Sequence, residues 1–149
     1  MVTKKQIEEF IAAEPIAMAG VSRNPRKFGF TAFRELKEKG MNIIPVNPYA
    51  KEIHGAQVFN DLKSLPPGVK GLLVMTRKNE TLNLIREAKG LGLKQIWIQQ
   101  NSESREALEE LRNSDINYIT GQCILMHYKP HSIHKFHRSI NKFFGKLPK

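Results

Sequence analysis

The feature of this sequence that most constrains its fold is a series of short apolar runs, each separated from the next by a longer segment. The runs lie at residues 16–21, 42–46, 71–75, 94–98 and 116–119. The first run has no alternation of apolar and polar residues, which is typical of a strand buried on both faces of a parallel sheet. We therefore expect an α/β protein, because a sheet of this kind needs a helical layer on each side.

Segments with the spacing of amphipathic helices connect several of these runs. They lie at residues 3–13, 29–39, 79–89 and 102–112. Thr3 and Gln6 form a capping-box pattern, and Asn79 and Ser102 are predicted helix N-caps. Residues 56–59 are predicted to form a short edge strand. Strands that alternate with helices predict right-handed crossovers, and so a Rossmann-like, doubly wound, mostly parallel sheet in three layers.

The length and charge of the chain suit one domain with a basic tail. The chain has 149 residues and a net charge of +10. We predict a Rossmann-like domain over residues 1–126 and a basic amphipathic helix over 127–149, which packs on that domain or extends it. The tail carries six Lys or Arg and no Asp or Glu. This basicity predicts an anionic partner and leaves open a phosphorylated ligand, nucleic acid or a membrane surface.

The cysteine and histidine residues of the sequence do not predict a metal site or a redox site. Cys123 is the single cysteine, and we expect it to be a small buried apolar residue. Four histidines near the C-terminus are interpreted as surface residues, because no Cys, Asp or Glu joins them as a metal ligand. They are His127, His131, His134 and His137. The chain shows no signal-peptide pattern and no apolar run of ~18 residues, so we expect a cytoplasmic protein without a membrane span.

The loop after the first strand is the first candidate for a binding site. Open α/β sheets bind ligands beyond the carboxyl ends of their strands. Gly20 allows a ligand to approach the backbone, and Gly29 lies at a predicted helix start, where phosphate is favoured. The residues between them supply a hydroxyl, an amide and three cations: Ser22, Asn24, Arg23, Arg26 and Lys27. This composition predicts a phosphate site.

The sequence argues against two common nucleotide-binding motifs, the dinucleotide-binding G-x-G-x-x-G motif and the P-loop. Residues 20–22 read G-x-S rather than G-x-G, and the second strand runs into Asn47-Pro48 rather than an acidic residue, which disfavours NAD. NADP stays open, because the nearby Lys51 offers a cation for its extra phosphate. The chain has no P-loop motif. No Ser-His-Asp order or paired carboxylate predicts catalysis, so we favour a binding protein over an enzyme.

Four segments together resemble a known family. They are IAMAGVSRNPRKFG at 16–29, IPVNP at 44–48, EIHG at 52–55 and VFNDL at 58–62. The combination is similar to the CoA-binding domain that opens the α subunit of succinyl-CoA synthetase and the ADP-forming acyl-CoA synthetases. That domain also occurs alone, in small bacterial proteins of about this length. The resemblance covers roughly residues 14–125 and implies a Rossmann-like fold with coenzyme A as the cofactor.

The resemblance implies three groups of ligand contacts. The first loop would surround the CoA nucleotide through Gly20, Val21, Ser22, Asn24, Arg26, Lys27, Phe28 and Gly29. The turn after the second strand would line the adenosine through Asn47 and Pro48, with Lys51 near the phosphates. The segment after the next core strand would border the ligand through Met75, Thr76 and Arg77.

The resemblance also suggests what the chain does. The larger enzymes carry a second domain with a phosphorylated histidine and need an ATP-grasp partner, and no segment here matches that histidine region. We therefore expect a non-catalytic carrier, sensor or accessory subunit that binds CoA or acyl-CoA, with a protein partner or homo-oligomer left open. Two alternatives remain: an NADP-binding oxidoreductase of the same fold, and a nucleic-acid or partner-binding module that uses the basic tail.

Overall fold

A computed structural model describes residues 1–128 of the chain. The predicted basic helix at 127–149 lies outside these residues, apart from its first two positions. The helices are α1 (Lys4–Ile11), α2 (Phe28–Glu38), α3 (Lys78–Gly90) and α4 (Arg105–Arg112). The strands are β1 (Ile16–Ala19), β2 (Ile43–Val46), β3 (Glu52–Ile53), β4 (Ala56–Gln57), β5 (Gly71–Val74), β6 (Gln95–Gln99) and β7 (Asn117–Gln122). No helix in this part of the chain is long and apolar enough to cross a membrane.

The main sheet has five strands in the order β2-β1-β5-β6-β7, and all of them are parallel. The strand order therefore reverses between β1 and β5, which makes their carboxyl ends the switch point of the sheet. The predicted edge strand at 56–59 is wrong in detail. Its first two residues form β4, which pairs only with β3 in an antiparallel ribbon, and Phe59 makes an isolated bridge to Val46 at the edge of the main sheet.

Side chains alternate across the sheet into two apolar layers, as expected of strands buried on both faces. Ile16 and Met18 of β1 pack in the layer that contains α1 and α2, whereas Ala17 and Ala19 pack in the layer that contains α3 and α4. Trp97 of β6 is fully buried in the first layer. The predicted three-layer, Rossmann-like architecture is confirmed.

Two predicted helix caps are wrong, for a reason that lies in the tertiary structure. Arg77, not Asn79, occupies the N-cap of α3, and Ser104, not Ser102, caps α4 through its side chain. Ser102 is buried, and its carbonyl oxygen accepts a hydrogen bond of 2.6 Å from the Thr81 hydroxyl. The residue is thus used to tie the loop before α4 to α3.

Gly20 and Gly29 allow the end of β1, the start of α2 and the end of β5 to lie in close contact at the switch point. Gly20 has φ +92°, and a Cβ atom there would lie 2.5 Å from the Met75 carbonyl carbon and oxygen and 2.8 Å from the Thr76 nitrogen. A Cβ atom on Gly29, in the first turn of α2, would collide with the Gly20 carbonyl oxygen. Glycine is needed at both positions because backbone packs on backbone there.

We expect Gly29→Ala to lower the free energy of unfolding by about 1–3 kcal/mol, because the added methyl group must push α2 away from β1. Gly90→Ala is the matched control, since Gly90 is also helical and nothing lies within 4 Å of its Cβ position. That control should be neutral or stabilising by up to about 1 kcal/mol. Urea denaturation measures both values, and equal stability of the two variants would contradict the close packing.

Candidate ligand-binding cleft

Two adjoining cavities open at the carboxyl ends of β1, β2 and β5. The larger lobe has a volume of about 400 Å³ and the smaller lobe about 300 Å³. They share Gly20, Ser22, Thr76 and Glu80 as lining residues, so they form one cleft. The cleft lies at the switch point of the sheet, where open α/β folds bind ligands.

The fold brings most of the site residues predicted from the sequence to this cleft. The members of that set that line the larger lobe are Gly20, Val21, Ser22, Asn47, Pro48 and Thr76. The smaller lobe shares Gly20, Ser22 and Thr76 and adds Lys27, Phe28, Gly29, Met75 and Arg77. Asn24, Arg26 and Lys51 are exposed and do not line either lobe. The predicted set is therefore clustered in space, although three of its members lie beside the cleft rather than in it.

The loop that follows β1 is shaped by its own polar side chains. The Ser22 hydroxyl oxygen accepts from the Asn24 backbone N–H at 3.0 Å, and the Asn24 side-chain oxygen accepts from the Arg26 N–H at 2.9 Å. These short-range bonds are typical of Ser and Asn in tight turns. Asn24 thus has a structural role in the turn, and the cationic side chains of the loop are left exposed to solvent.

Asn47 anchors the turn after β2 to the loop after β1. Its side-chain oxygen accepts from the backbone N–H groups of Tyr49 at 2.7 Å and Ala50 at 3.1 Å, and its side-chain nitrogen donates to the Val21 carbonyl at 2.8 Å. Asn60 donates to the carbonyl oxygens of Asn47 and Ala50. These bonds use the Asn47 amide to hold the walls of the cleft together, and the contact between Asn47 and a ligand that the resemblance implies stays a prediction.

Two cationic side chains and two helix starts lie at the smaller lobe. Lys27 occupies the N-cap position of α2 and Arg77 that of α3, and neither side chain bonds to the backbone of its own helix start. Both side chains are exposed. Helix N-termini carry partial positive charge, so two of them beside two cations favour an anion such as phosphate.

Sequence reasoning missed most of the larger lobe. Its apolar floor includes Val46, Leu62 and Leu84, and its rim includes Asp61, Glu80 and Glu87. A signal for part of this wall exists in the sequence, because residues 80, 84 and 87 have the spacing of one helix face. The buried stripe of α3 at Thr81, Ile85 and Ala88 lies beside that face and dominates the apolar pattern of the helix. Lys27 and Arg77 therefore line only the smaller lobe and Asp61 and Glu87 only the larger lobe, whereas Glu80 borders both.

Cys123 lies in the core, His127 packs against the core residue Trp97, and neither residue lines the cleft. Cys123 is 2% exposed, and burial raises the pKa of its thiol, which confirms the expectation of a buried apolar residue. His127 is partly buried with its ring centroid 5.5 Å from that of Trp97, and burial lowers the pKa of the imidazole. Its interpretation as a surface residue is wrong, while the other three histidines of the tail lie outside the described residues. Within residues 1–128 no group of three potential metal ligands occurs.

Comparisons with known proteins identify a CoA ligase subunit and an uncharacterized bacterial protein as relatives. Over 129 residues the chain is 24% identical to the α subunit of ADP-forming acetate–CoA ligase II of Pyrococcus furiosus, which covers 79% of this chain. Over 123 residues it is 25% identical to the uncharacterized protein YneT of Bacillus subtilis, and this match covers 82% of this chain and 91% of that protein. The chain spans only 28% of the length of the ligase subunit.

Solved structures and a family profile agree with these matches. A conserved hypothetical protein of Pyrococcus furiosus is 33% identical and superimposes with a TM-score of 0.71, covering 74% of this chain and 95% of that chain. The profile described as the CoA binding domain matches residues 14–129, which include every element of the cleft. The chain therefore belongs to the CoA-binding domain family.

Proposed function

We propose that this protein binds coenzyme A or an acyl-CoA in the cleft at the switch point, as a non-catalytic carrier, sensor or accessory subunit. The observation that carries the proposal is the cleft of a CoA-binding-domain protein, in which Lys27 and Arg77 lie at two helix starts next to a largely apolar lobe. The name of the Pyrococcus furiosus relative, a CoA ligase subunit, supports an acyl-CoA as the ligand class.

The smaller lobe suits the diphosphate of CoA. Phosphate oxygens are bound best by charged donors and by backbone N–H groups at a helix start. Lys27 and Arg77 supply the charge, and the start of α2 at Gly29 supplies the positive end of the helix dipole. The close backbone packing at Gly20 and Gly29 fixes this helix start before any ligand arrives, which lowers the entropy cost of binding.

The larger lobe suits an uncharged part of the ligand. Its volume of about 400 Å³ and its apolar floor match the usual character of small-molecule sites. Asp61 and Glu87, which line this lobe and not the smaller one, repel phosphate. The two lobes thus favour one orientation, with the diphosphate at the smaller lobe and the adenine or the pantetheine chain toward the larger.

CoA should raise the melting temperature of the full-length protein by several degrees. A ligand at 100 times its Kd stabilises the folded state by about 2.7 kcal/mol through mass action. The measurement is a thermal-shift series with CoA, acetyl-CoA, dephospho-CoA, NAD, NADP and ATP. No shift with millimolar CoA would contradict the proposal, and a larger shift with NADP than with CoA would favour an NADP-binding protein instead.

Lys27→Ala should weaken CoA binding by about 1–2 kcal/mol at low salt, because it removes a charge-assisted contact with phosphate. The loss should shrink at high salt, since Lys27 is exposed and its charge is screened. Lys70→Ala is the matched control: Lys70 is also exposed but precedes β5, at the opposite edge of the sheet. Calorimetric titration of both variants tests the assignment, and equal losses in the two would count against a specific contact.

A further inference from the structure

We infer that Tyr49 is a stacking platform that binds the face of the adenine base of CoA in the larger lobe. This inference rests on the proposed function and goes beyond it, because it assigns to one side chain, Tyr49, the recognition of the base at the turn where the family resemblance implies the adenosine. Its starting point is an aromatic ring that the fold leaves in water at the mouth of an apolar cavity.

Tyr49 is unusual among the described residues for its exposure. Within residues 1–128 the exposed large apolar side chains are Met1, Tyr49 and Leu91. Met1 is the first residue, and Leu91 follows the last turn of α3, outside the cleft. Tyr49 alone of the three lines the cleft, and it is 80% exposed. An aromatic ring at such a place offers a large apolar face that a planar ligand can cover.

The backbone on both sides of Tyr49 is held in place. Its N–H donates to the Asn47 side-chain oxygen at 2.7 Å, and Ala50, the next residue, is buried and donates to the same oxygen at 3.1 Å. Asn60 donates to the Asn47 and Ala50 carbonyl oxygens at 2.9 and 3.1 Å. The ring is therefore carried on a fixed turn at the rim, which reduces the ordering cost of a stacking contact.

The residues around the ring distinguish the base from the rest of the ligand. Val46, Leu62 and Leu84 give the larger lobe an apolar floor. The carboxylates at its rim disfavour phosphate, and Asp61 and Glu87 are hydrogen-bond acceptors of the kind that an exocyclic amino group needs. Adenine is the planar, phosphate-free part of CoA that has an amino group, so it fits this lobe better than the pantetheine chain does.

Calorimetric titration with CoA and with adenosine 3′,5′-bisphosphate, the nucleotide half of CoA, tests the assignment. We expect Tyr49→Ala to bind both ligands about 5- to 100-fold more weakly than the wild type, as found when stacking on a base is lost. Tyr49→Phe should bind within about twofold of the wild type, because it keeps the ring face. Leu91→Ala, which removes an exposed apolar side chain elsewhere, is the matched control and should bind as the wild type does.

The variant Tyr49→Trp reports the stacking contact directly through its fluorescence. Trp97 is fully buried, so the indole introduced by Tyr49→Trp gives a separate, solvent-exposed emission. Adenosine 3′,5′-bisphosphate should quench that emission and leave the wild-type emission unchanged.

Four outcomes overturn the inference. They are unchanged CoA affinity in Tyr49→Ala, a loss for CoA without a loss for the bisphosphate, a loss in Leu91→Ala equal to that in Tyr49→Ala, and an unquenched indole in a Tyr49→Trp variant that binds CoA. If the wild type binds neither ligand, the proposed function fails and the role of Tyr49 fails with it, whereas the other outcomes leave CoA binding intact. If Tyr49→Ala does not fold, the quenching decides.

Discussion

Close contact between backbones at Gly20 is the constraint on which the cleft depends. The carbonyl oxygen of Gly20 leaves no room for a side chain on Gly29, and the Met75 backbone leaves none for a side chain on Gly20. The ladder between β1 and β5 is extended there by a 2.8 Å hydrogen bond from the Met75 N–H to the Ala19 carbonyl. One glycine pair thus fixes the end of β1, the start of α2 and the end of β5 against each other, and the cleft is the space that remains in front of them.

The layout of the fold was predictable because it depends on local patterns. Short apolar runs at 16–21 and 71–75 became β1 and β5, and the intervening helical spacing produced helices on both faces of a parallel sheet. The features that escaped prediction depend on partners distant in sequence. Ser102 was a good capping candidate, but its carbonyl is bound by Thr81 and Ser104 takes the cap instead.

The candidate site was predictable only in part, for a related reason. Loop composition and family resemblance pointed to many of the residues that line the cleft, but not to the hydrogen bonds by which the Asn24 and Asn47 side chains shape and connect its loops. Tyr49, Glu80 and Glu87 belong to none of the quoted motifs and come together with Asp61 only in the folded chain. The arrangement of cations and carboxylates around the cleft is therefore a property of the fold rather than of any one segment.

Amide chemical shifts of the ¹⁵N-labelled protein during a CoA titration test the central claim most directly. If CoA binds at the switch point, the largest changes will fall at Gly20, Ser22, Gly29 and Thr76, which line the smaller lobe. Amides at the opposite edge of the sheet, such as those of Lys70 and Gly71, should stay unchanged. Changes centred on that opposite edge, or no changes in the smaller lobe at saturating CoA, would contradict the account.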